Sequence, residues 1–229
     1  MLRILLLATV VVSGADSSAD ITLVAVGSHG TILRTTDGGD NWSQQPLNIT
    51  RELRAVDFVD PELGWTSGMF EFQTTTTSLA TMRYTLDGGL SWRDADFQTM
   101  QNNFMVNDIN FFNSSTGWIV GGLGNVWCSC NGGLSWAKQY PGESSDFNGV
   151  EFVGTSRGWV VGGTIVHTAD AGRTWTTQYR LSNAQSTDVD FVDEYEGWVV
   201  GTSGHGILHT TNGGATWSGQ PYPGPAASL

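Results

Sequence analysis

The octet TTNGGATW at residues 210–217 decides the fold, because it recurs along the whole chain. Related octets are TTDGGDNW (35–42), TLDGGLSW (85–92), SCNGGLSW (129–136) and TADAGRTW (168–175). All five fit the pattern Ser/Thr-x-Asp/Asn-x-Gly-x-x-Trp and are spaced by about 40 residues. A fixed period of this length predicts a repeat architecture.

Two further motifs precede the octet in each of the last four repeats. One is a Gly-Trp pair, at 64–65, 117–118, 158–159 and 197–198. The other is a short run that alternates Val or Phe with polar residues: AVDFVD (55–60), DINFFN (108–113), GVEFVG (149–154) and DVDFVD (188–193). Such alternation between turn residues predicts strands. Four antiparallel strands per repeat form a blade, so we predict an all-β β-propeller of five repeats.

The octet itself has a structural explanation that needs no ligand. Its Asp or Asn accepts backbone N–H bonds across the turn between strands 3 and 4, its Gly supplies a positive φ, and its Trp buries a ring against the blade. No octet opens a helix, so a phosphate cradle is not predicted, and neither a cofactor nor a metal is expected. The residues assigned to this structural role are Asp37, Trp42, Asp87, Trp92, Asn131, Trp136, Asp170, Trp175, Asn212 and Trp217.

The first repeat is incomplete. ITLVAVG (21–27), GTILRTT (30–36) and NWSQQ (41–45) supply strands 2, 3 and 4, but no strand-1 motif precedes them. The C-terminal tail SGQPYPGPAASL has three Pro and is a poor substitute. Two interpretations stay open: the five blades close imperfectly, or the chain is a truncated form of a larger propeller.

The N-terminus has the pattern of a secretory leader. A basic start, an apolar run from Ile4 to Val12 and small residues predict a signal peptide over 1–19, before a propeller over 20–220 and a flexible tail over 221–229. We therefore expect an exported protein without membrane insertion, which is secreted, periplasmic or thylakoid-lumenal depending on the organism. The net charge of −12 argues against nucleic acid as a partner.

Strand order places a candidate binding surface on the face opposite the octets, where the 2–3 turns and the connections from strand 4 to the next strand 1 lie. Blade 2 carries a Thr-rich insertion between Gly68 and Tyr84. It is either a projecting hairpin that presents two Phe residues or a polar excursion with those rings packed back. The candidate binding residues on this face are Arg51, Arg54, Phe70, Phe72, Phe97, Phe104, Tyr140, Tyr179 and Arg180. An aromatic surface of this kind suits protein or glycan recognition.

The residues give little support to enzymatic chemistry. A sialidase needs an Arg cluster and a Tyr nucleophile with a Glu partner, and the arginines here are scattered. One acidic column, Asp57, Asn110, Glu151 and Asp190, falls on the innermost strands and is better explained as channel lining. His167 and His209 lie on adjacent blades, and the pair Cys128 and Cys130 lacks further ligands, so neither predicts a metal site.

The motifs AVDFVDPELGW, GWVVG, GTILRTTDGGDNW and GILHTTNGGATW resemble the Asp-box (BNR) repeats of photosystem II stability/assembly factor-like propellers. The resemblance covers residues 20–220. It implies a non-enzymatic, exported or lumenal propeller; the photosynthetic members bind a reaction-centre precursor protein during photosystem II assembly.

Two departures from the family qualify that resemblance. The photosynthetic members are seven-bladed and carry an arginine-rich patch, whereas this chain has five Asp-boxes and only Arg51, Arg54 and Arg180 as scattered counterparts. We predict a non-catalytic module for protein binding and assembly. A glycan-binding or sialidase-like glycoside hydrolase propeller is the alternative.

Overall fold

The chain folds into antiparallel β-sheet almost throughout. The structure is a computed structural model that describes residues 7–12, 21–46, 51–74, 77–95, 105–181, 184–202 and 206–221, with the backbone alone for 7–12, 69–74 and 77–80. The strands form five four-stranded sheets, each with its strands in sequential order. The predicted all-β class and its five repeats are therefore confirmed.

Each sheet is one blade, and its strands are numbered along the chain. Blade 1 contains β1 (Leu7–Val12), β2 (Ile21–Val26), β3 (Ile32–Thr35) and β4 (Ser43–Gln44). Blade 2 contains β5 (Leu53–Phe58), β6 (Leu63–Thr74), β7 (Thr77–Leu86) and β8 (Arg93–Asp94). Blade 3 contains β9 (Val106–Phe111), β10 (Gly117–Gly121), β11 (Asn125–Ser129) and β12 (Ala137–Gln139). Blade 4 contains β13 (Phe147–Val153), β14 (Arg157–Gly162), β15 (Thr164–Thr168) and β16 (Thr176–Arg180), and blade 5 contains β17 (Gln185–Phe191), β18 (Gly197–Thr202), β19 (Ile207–Thr210) and β20 (Ser218–Gln220).

The first repeat contributes three strands, β2 to β4, as its motifs predict. The place of strand 1 is taken by β1, which pairs antiparallel with β2 from Leu7 opposite Val26 to Val12 opposite Ile21. This strand comes from the apolar run that the sequence assigns to a signal peptide, and it lacks the VDFVD motif of the later blades. The run is rich in Val, so the same residues that suit a leader also suit a strand.

A paired Phe and Gly explains the Gly-Trp motif. In blade 4, Phe152 of β13 lies opposite Gly158 of β14, and a Cβ on Gly158 would stand 2.4 Å from the Phe152 ring. Blades 2, 3 and 5 repeat this contact. In blade 1 the pair is Val10 opposite Leu23. Blade 1 thus has Val on strand 1 where the other blades have Phe, and Leu on strand 2 where they have Gly.

The Trp of the Gly-Trp motif packs against the Phe of the following blade. The rings of Trp65 and Phe111 stack at 3.6 Å, those of Trp118 and Phe152 at 3.4 Å, and those of Trp159 and Phe191 at 3.6 Å. Each Trp in these pairs is at most 2% exposed. Burial of rings this size stabilises the fold by about 2–3 kcal/mol each, so these stacks contribute strongly to the contacts between blades.

Each later octet also accepts a hydrogen bond from the preceding blade, always at the carbonyl of its fourth residue. Arg34 Nε donates to Gly88, Trp65 Nε1 to Gly132, Gln139 Nε2 to Ala171, and Trp159 Nε1 and Gln178 Nε2 to Gly213, over 2.7–3.2 Å. The octet turn is therefore part of the contact between blades.

The chain divides into two compact units. Unit 1 contains Met1–Gly117 and Ser129–Trp136, and unit 2 contains Trp118–Cys128 and Ala137–Leu229. The core of unit 1 includes a cluster of Val24, Val26, Ile32, Leu53 and Val56. Unit 2 has two clusters, one around Trp118 and Phe152 and the other around Trp159 and Phe191.

The insertion in blade 2 is a long hairpin. Strands β6 and β7 continue to pair beyond the blade, with Glu71 opposite Leu79, Phe72 opposite Ser78 and Thr74 opposite Thr77. The strand pairing of a hairpin is therefore present, whereas the two interpretations differ in where the Phe rings lie. Phe70 and Phe72 lie on its β6 arm, and their side chains are not among those described.

Candidate functional site

The octet turns use their own polar groups internally. In the first octet, Thr35 Oγ1 accepts the N–H groups of Asp37 and Gly39, and Asp37 Oδ1 accepts the N–H of Asn41 at 2.9 Å. Hydrogen bonds from Thr35 and Asn41 hold the pKa of Asp37 well below its usual range. In the fourth octet, hydrogen bonds, the strongest from the Thr174 hydroxyl, lower the pKa of Asp170 to about 2. Both carboxylates accept hydrogen bonds within their own turn, which is consistent with the structural role predicted for the octets.

The opposite face of unit 2 carries a set of residues of mixed chemistry, which we call the loop surface: the exposed Leu123, Lys138, Tyr140 and Arg180, and Glu143, whose side chain is largely buried. Leu123 is 75% exposed and Tyr140 is 78% exposed. The Lys138 ammonium lies 5.7 Å from the centre of the Tyr140 ring and 5.9 Å from that of Trp127, within cation–π distance. Large exposed apolar groups beside charged ones are typical of recognition surfaces.

The loop surface is held in place by contacts between turns. The Leu123 N–H donates to Asp146 Oδ1 at 2.8 Å, and a Cβ on Gly124 would stand 2.1 Å from the Glu143 carbonyl oxygen. Leu123 and Gly124 have φ values of 60° and 69°. The 2–3 turn of blade 3 therefore lies directly on the connection that leads to blade 4.

Glu143 joins that connection to the last strand of blade 4. Its carboxylate accepts the Thr177 hydroxyl at 2.8 Å and the Arg180 Nη2 at 3.0 Å. The Arg180 side chain is 68% exposed, so the ion pair fixes one end of the guanidinium and leaves donors toward solvent. Tyr179, another predicted binding residue, instead packs partly against the cluster around Trp159.

In unit 1 the predicted arginines are engaged within the protein. Arg54 donates from Nε to Glu52 at 3.2 Å and from Nη1 to Asn107 at 2.7 Å. Arg51 is partly buried, and its carbonyl accepts the N–H of Gly30 in the 2–3 turn of blade 1. Arg51 and Arg54 are thus close in the chain on one segment. Phe97 and Phe104 lie outside the described residues.

The acidic column is not a set of equivalent acids. Asp57 is partly buried, and its Oδ2 accepts the N–H of Phe111 on β9. Burial raises the pKa of Asp57 to about 6. Asp190, at the same place in blade 5, is exposed. Asp57 therefore does more than line a channel, because its carboxylate binds the backbone of β9 and links blade 2 to blade 3.

The two histidines of the strand-3 positions pack against tryptophans of their own blades. His167 packs 5.0 Å from Trp159, and burial lowers the pKa of His167; His209 packs 4.7 Å from Trp198 and pairs with Glu196 at 3.2 Å. Cys128 and Cys130 are not joined by a disulfide. Among the described residues, no cluster of three or more His, Cys, Asp or Glu side chains is arranged to hold a metal ion. Nor is any helix in this part of the chain long and apolar enough to cross a membrane.

Sequence reasoning missed three members of the loop surface: Leu123, Lys138 and Glu143. Leu123 had a detectable signal, since GGLG (121–124) matches the turn GSHG (27–30) in which His29 also has a positive φ. Lys138 and Glu143 had none, because their role depends on which strand ends meet in space.

Comparisons with known proteins find a family model and a relative that resemble these repeats. The model described as "Photosynthesis system II assembly factor YCF48" matches residues 88–185. "Photosystem II assembly lipoprotein Ycf48" of Picosynechococcus sp. is 26% identical over 127 residues, which cover 54% of this chain and 35% of the relative. The chain thus matches about a third of the length of that relative.

Two solved structures are similar in fold. YCF48 from Cyanidioschyzon merolae aligns with a TM-score of 0.52 at 15% identity, covering 93% of this chain and 88% of the other. The Niastella koreensis GH74 enzyme aligns with a TM-score of 0.69 at 16% identity, covering 91% of this chain and 36% of the enzyme. At these identities the alignments show the β-propeller fold alone. The family match and the relative support the resemblance of these repeats to the photosystem II stability/assembly factor-like Asp-box β-propellers.

Proposed function

We propose that this protein is a non-catalytic, exported assembly module that binds a protein partner through its loop surface. The observation that carries this proposal is the loop surface itself, where Leu123 and Tyr140 are exposed and Glu143 binds the guanidinium of the exposed Arg180. Aromatic residues and Arg are enriched where proteins bind one another.

The family supports the same role. The curated relative is named as a photosystem II assembly lipoprotein, which is compatible with export and with an assembly role. We carry both properties to this chain as proposals, with residues 1–19 as the leader and 221–229 as a tail. Arg51, Arg54, Phe70, Phe72, Phe97, Phe104 and Tyr179 are proposed as further binding residues on the same kind of face.

Affinity capture from the source organism tests the proposal. The tagged wild-type chain is compared with Tyr140→Ala and with Arg180→Glu, and captured proteins are quantified by mass spectrometry. We expect both variants to lose the same partner, by about tenfold or more, as hot-spot residues do. Leu134→Ser is the matched control, since Leu134 is 67% exposed but lies on an octet turn.

A second capture removes residues 69–82 and joins the remaining arms of β6 and β7. Loss of the same partner would add the hairpin to the binding surface, and unchanged capture would remove Phe70 and Phe72 from it. If neither loop-surface variant changes any captured protein, the proposed site is wrong.

The GH74 fold similarity motivates one enzymatic control. The chain is incubated with aryl glycosides and sialosides, and turnover is compared with that of Glu151→Gln and Asp190→Asn. We expect no turnover above that of the buffer. Turnover that either substitution abolishes would replace the assembly function with glycoside hydrolysis.

A further inference from the structure

The sequence contains a modification motif that the assembly role does not explain. The pattern Asn-x-Ser/Thr, with x other than Pro, is the acceptor sequence for N-linked glycans in exported proteins. It occurs three times, as NWS from Asn41, as NIT from Asn48 and as NSS from Asn113. Asn48 lies outside the described residues. The other two acceptor sequences lie in turns whose hydrogen bonds can be compared.

Asn113 lies in the turn between β9 and β10, and it contributes its side-chain oxygen to that turn. Its Oδ1 accepts the N–H groups of Ser115 and Thr116, both at 2.8 Å. Among the described residues, its Nδ2 has no hydrogen-bond partner. Ser114 and Ser115 are both exposed. The nitrogen that would carry a glycan is therefore not engaged by the turn, and the rest of the acceptor sequence is open to solvent.

The same turn in other blades shows that the fold requires only the oxygen. Blade 2 has Asp60 at this position, and the Asp60 Oδ1 accepts two backbone N–H groups at 2.7–2.8 Å. Blade 5 has Asp193, which accepts two such bonds at the same distances. Blade 4 has Gly154. Since an Asp supplies the oxygen without an amide, the Nδ2 of Asn113 is a group that this turn does not need.

The amide of Asn41 is engaged by its own octet. Asn41 Nδ2 donates to Asp37 Oδ2 at 2.8 Å, and the Asn41 N–H donates to Asp37 Oδ1 at 2.9 Å. A glycan would replace one of the two hydrogens on this nitrogen and would place a sugar ring beside the Asp37 carboxylate. The folded chain therefore accommodates a glycan more readily at Asn113 than at Asn41.

We propose that Asn113 is a site of N-linked glycosylation when the chain passes through a secretory pathway that carries out this modification. The inference rests on the export that is part of the proposed function. The donor is an oligosaccharide linked to a polyprenyl diphosphate. The Asn113 Nδ2 forms a bond to the anomeric carbon of the first sugar as the bond from that carbon to the diphosphate oxygen breaks. The lipid diphosphate leaves with the electron pair of that bond, and the amide loses one proton.

The modification leaves the hydrogen bonds of the turn in place. A sugar on Nδ2 does not involve Oδ1, which continues to accept the N–H groups of Ser115 and Thr116. No residue of the loop surface belongs to this turn. We therefore expect the glycosylated chain to keep its fold and its loop surface.

Secretion from cultured insect cells tests the site. A host leader of proven function is placed before residue 1 of the full chain, so that entry into the secretory pathway does not depend on residues 1–19. The secreted protein is digested with and without peptide-N-glycosidase, and mass spectrometry assigns the modified residues. We expect a glycan on Asn113 in most molecules and none on Asn41.

Two variants are expected to lose this glycan. Asn113→Asp keeps the oxygen that the turn needs, as Asp60 does in blade 2, and removes the acceptor nitrogen. Ser115→Ala removes the hydroxyl of the acceptor sequence and keeps the backbone N–H that binds Oδ1. Ser114→Ala is the matched control and should retain the glycan, because it changes the middle residue and leaves the acceptor sequence complete. Circular dichroism checks that all three variants are folded.

A secreted wild type without a glycan on Asn113 would overturn the proposal, and so would a glycan that persists there in Ser115→Ala. Equal occupancy of Asn41 and Asn113 would contradict the role assigned to the Asp37 hydrogen bonds. The same chain without the host leader tests export separately. Its retention inside the cell would count against the proposed export, whereas the result at Asn113 behind the host leader would stand.

Discussion

At the scale of single residues, the fourth position of the octet favours glycine but also accepts alanine. The fourth residue has φ between 67° and 72° in the four octets with Gly there, and Ala171 adopts 62° in the fourth octet. The left-handed conformation is unfavourable for residues with a Cβ by about 1–2 kcal/mol. Ala171 is therefore a locally strained residue inside a contact between blades.

Ala171→Gly is expected to stabilise the protein by up to about 1 kcal/mol, because the relief of strain exceeds the entropy that glycine loses on folding. Urea denaturation followed by tryptophan fluorescence measures the change. Gly213→Ala is the reverse control, and a Cβ there would also stand 2.9 Å from the Glu194 carbonyl oxygen. Equal stability of all three proteins would show that the turn adapts without cost.

Asp57 makes stability depend on pH in an unusual direction for a carboxyl group. Its pKa is raised to about 6 by burial, so the folded state keeps the proton over a range in which the unfolded state has lost it. The resulting stabilisation is fully present below pH 4 and is lost as the pH rises to about 6. From the pKa difference it amounts to about 2–3 kcal/mol.

Asp57→Asn is expected to abolish this loss between pH 4 and pH 6, because an amide oxygen still accepts the Phe111 N–H and does not ionise. Free energies of unfolding at a series of pH values measure it. Asp190→Asn, at the exposed equivalent position, is the matched control, because it leaves the hydrogen bond between Asp57 and the Phe111 N–H in place. A slope that is the same in the Asp57 variant would assign it to other groups.

At the scale of elements, β1 shows what a periodic motif leaves undecided. The VDFVD motif correctly locates the first strands of blades 2 to 5, because a Phe opposite a Gly is a local pairing rule. In blade 1 the rule is satisfied by Val10 opposite Leu23, which no motif search for Phe and Gly-Trp would find. The long β6–β7 hairpin is similar, since its polar Thr run has strand propensity but no alternation to reveal it.

A chain that begins at Asp20 is expected to be less stable than the full chain by about 2–5 kcal/mol, since β2 loses the backbone hydrogen bonds and the contacts that β1 supplies. Chemical denaturation gives the loss, and hydrogen exchange should place it at Ile21–Val26. A chain without residues 222–229 is the control. Unchanged stability would show that β1 does not contribute to blade 1 and would leave the segment to its proposed role as a leader.

At the scale of the whole molecule, two sets of carboxyl groups act in opposite directions. Asp37 and Asp170 have lowered pKa values, so the stability they contribute is present above pH 4 and is lost as the pH falls toward 2. Asp57 has the opposite effect, since the stability that it contributes is lost as the pH rises above 4. The free energy of unfolding is therefore expected to pass through a maximum near pH 4.

Thermal unfolding between pH 2 and pH 8 tests this profile. Replacement of Asp37 and Asp170 by Asn, the residue that the third and fifth octets already carry, should reduce the loss of stability at acid pH and leave the decline above pH 4 in place. Asp87 and Asp193, whose pKa values are also lowered by hydrogen bonds, account for the loss that remains. A profile that rises steadily to pH 7 would contradict the assigned role of Asp57.

The sequence by itself determined the number of repeats, the strand order within each blade and the residues of the octet turns, because these features depend on contacts a few residues apart. Only the tertiary structure decided that Asp57 binds the backbone of β9 and that Glu143 binds the guanidinium of Arg180. Each of these contacts depends on which residues of different strands and blades meet, and a repeat of similar motifs does not show that.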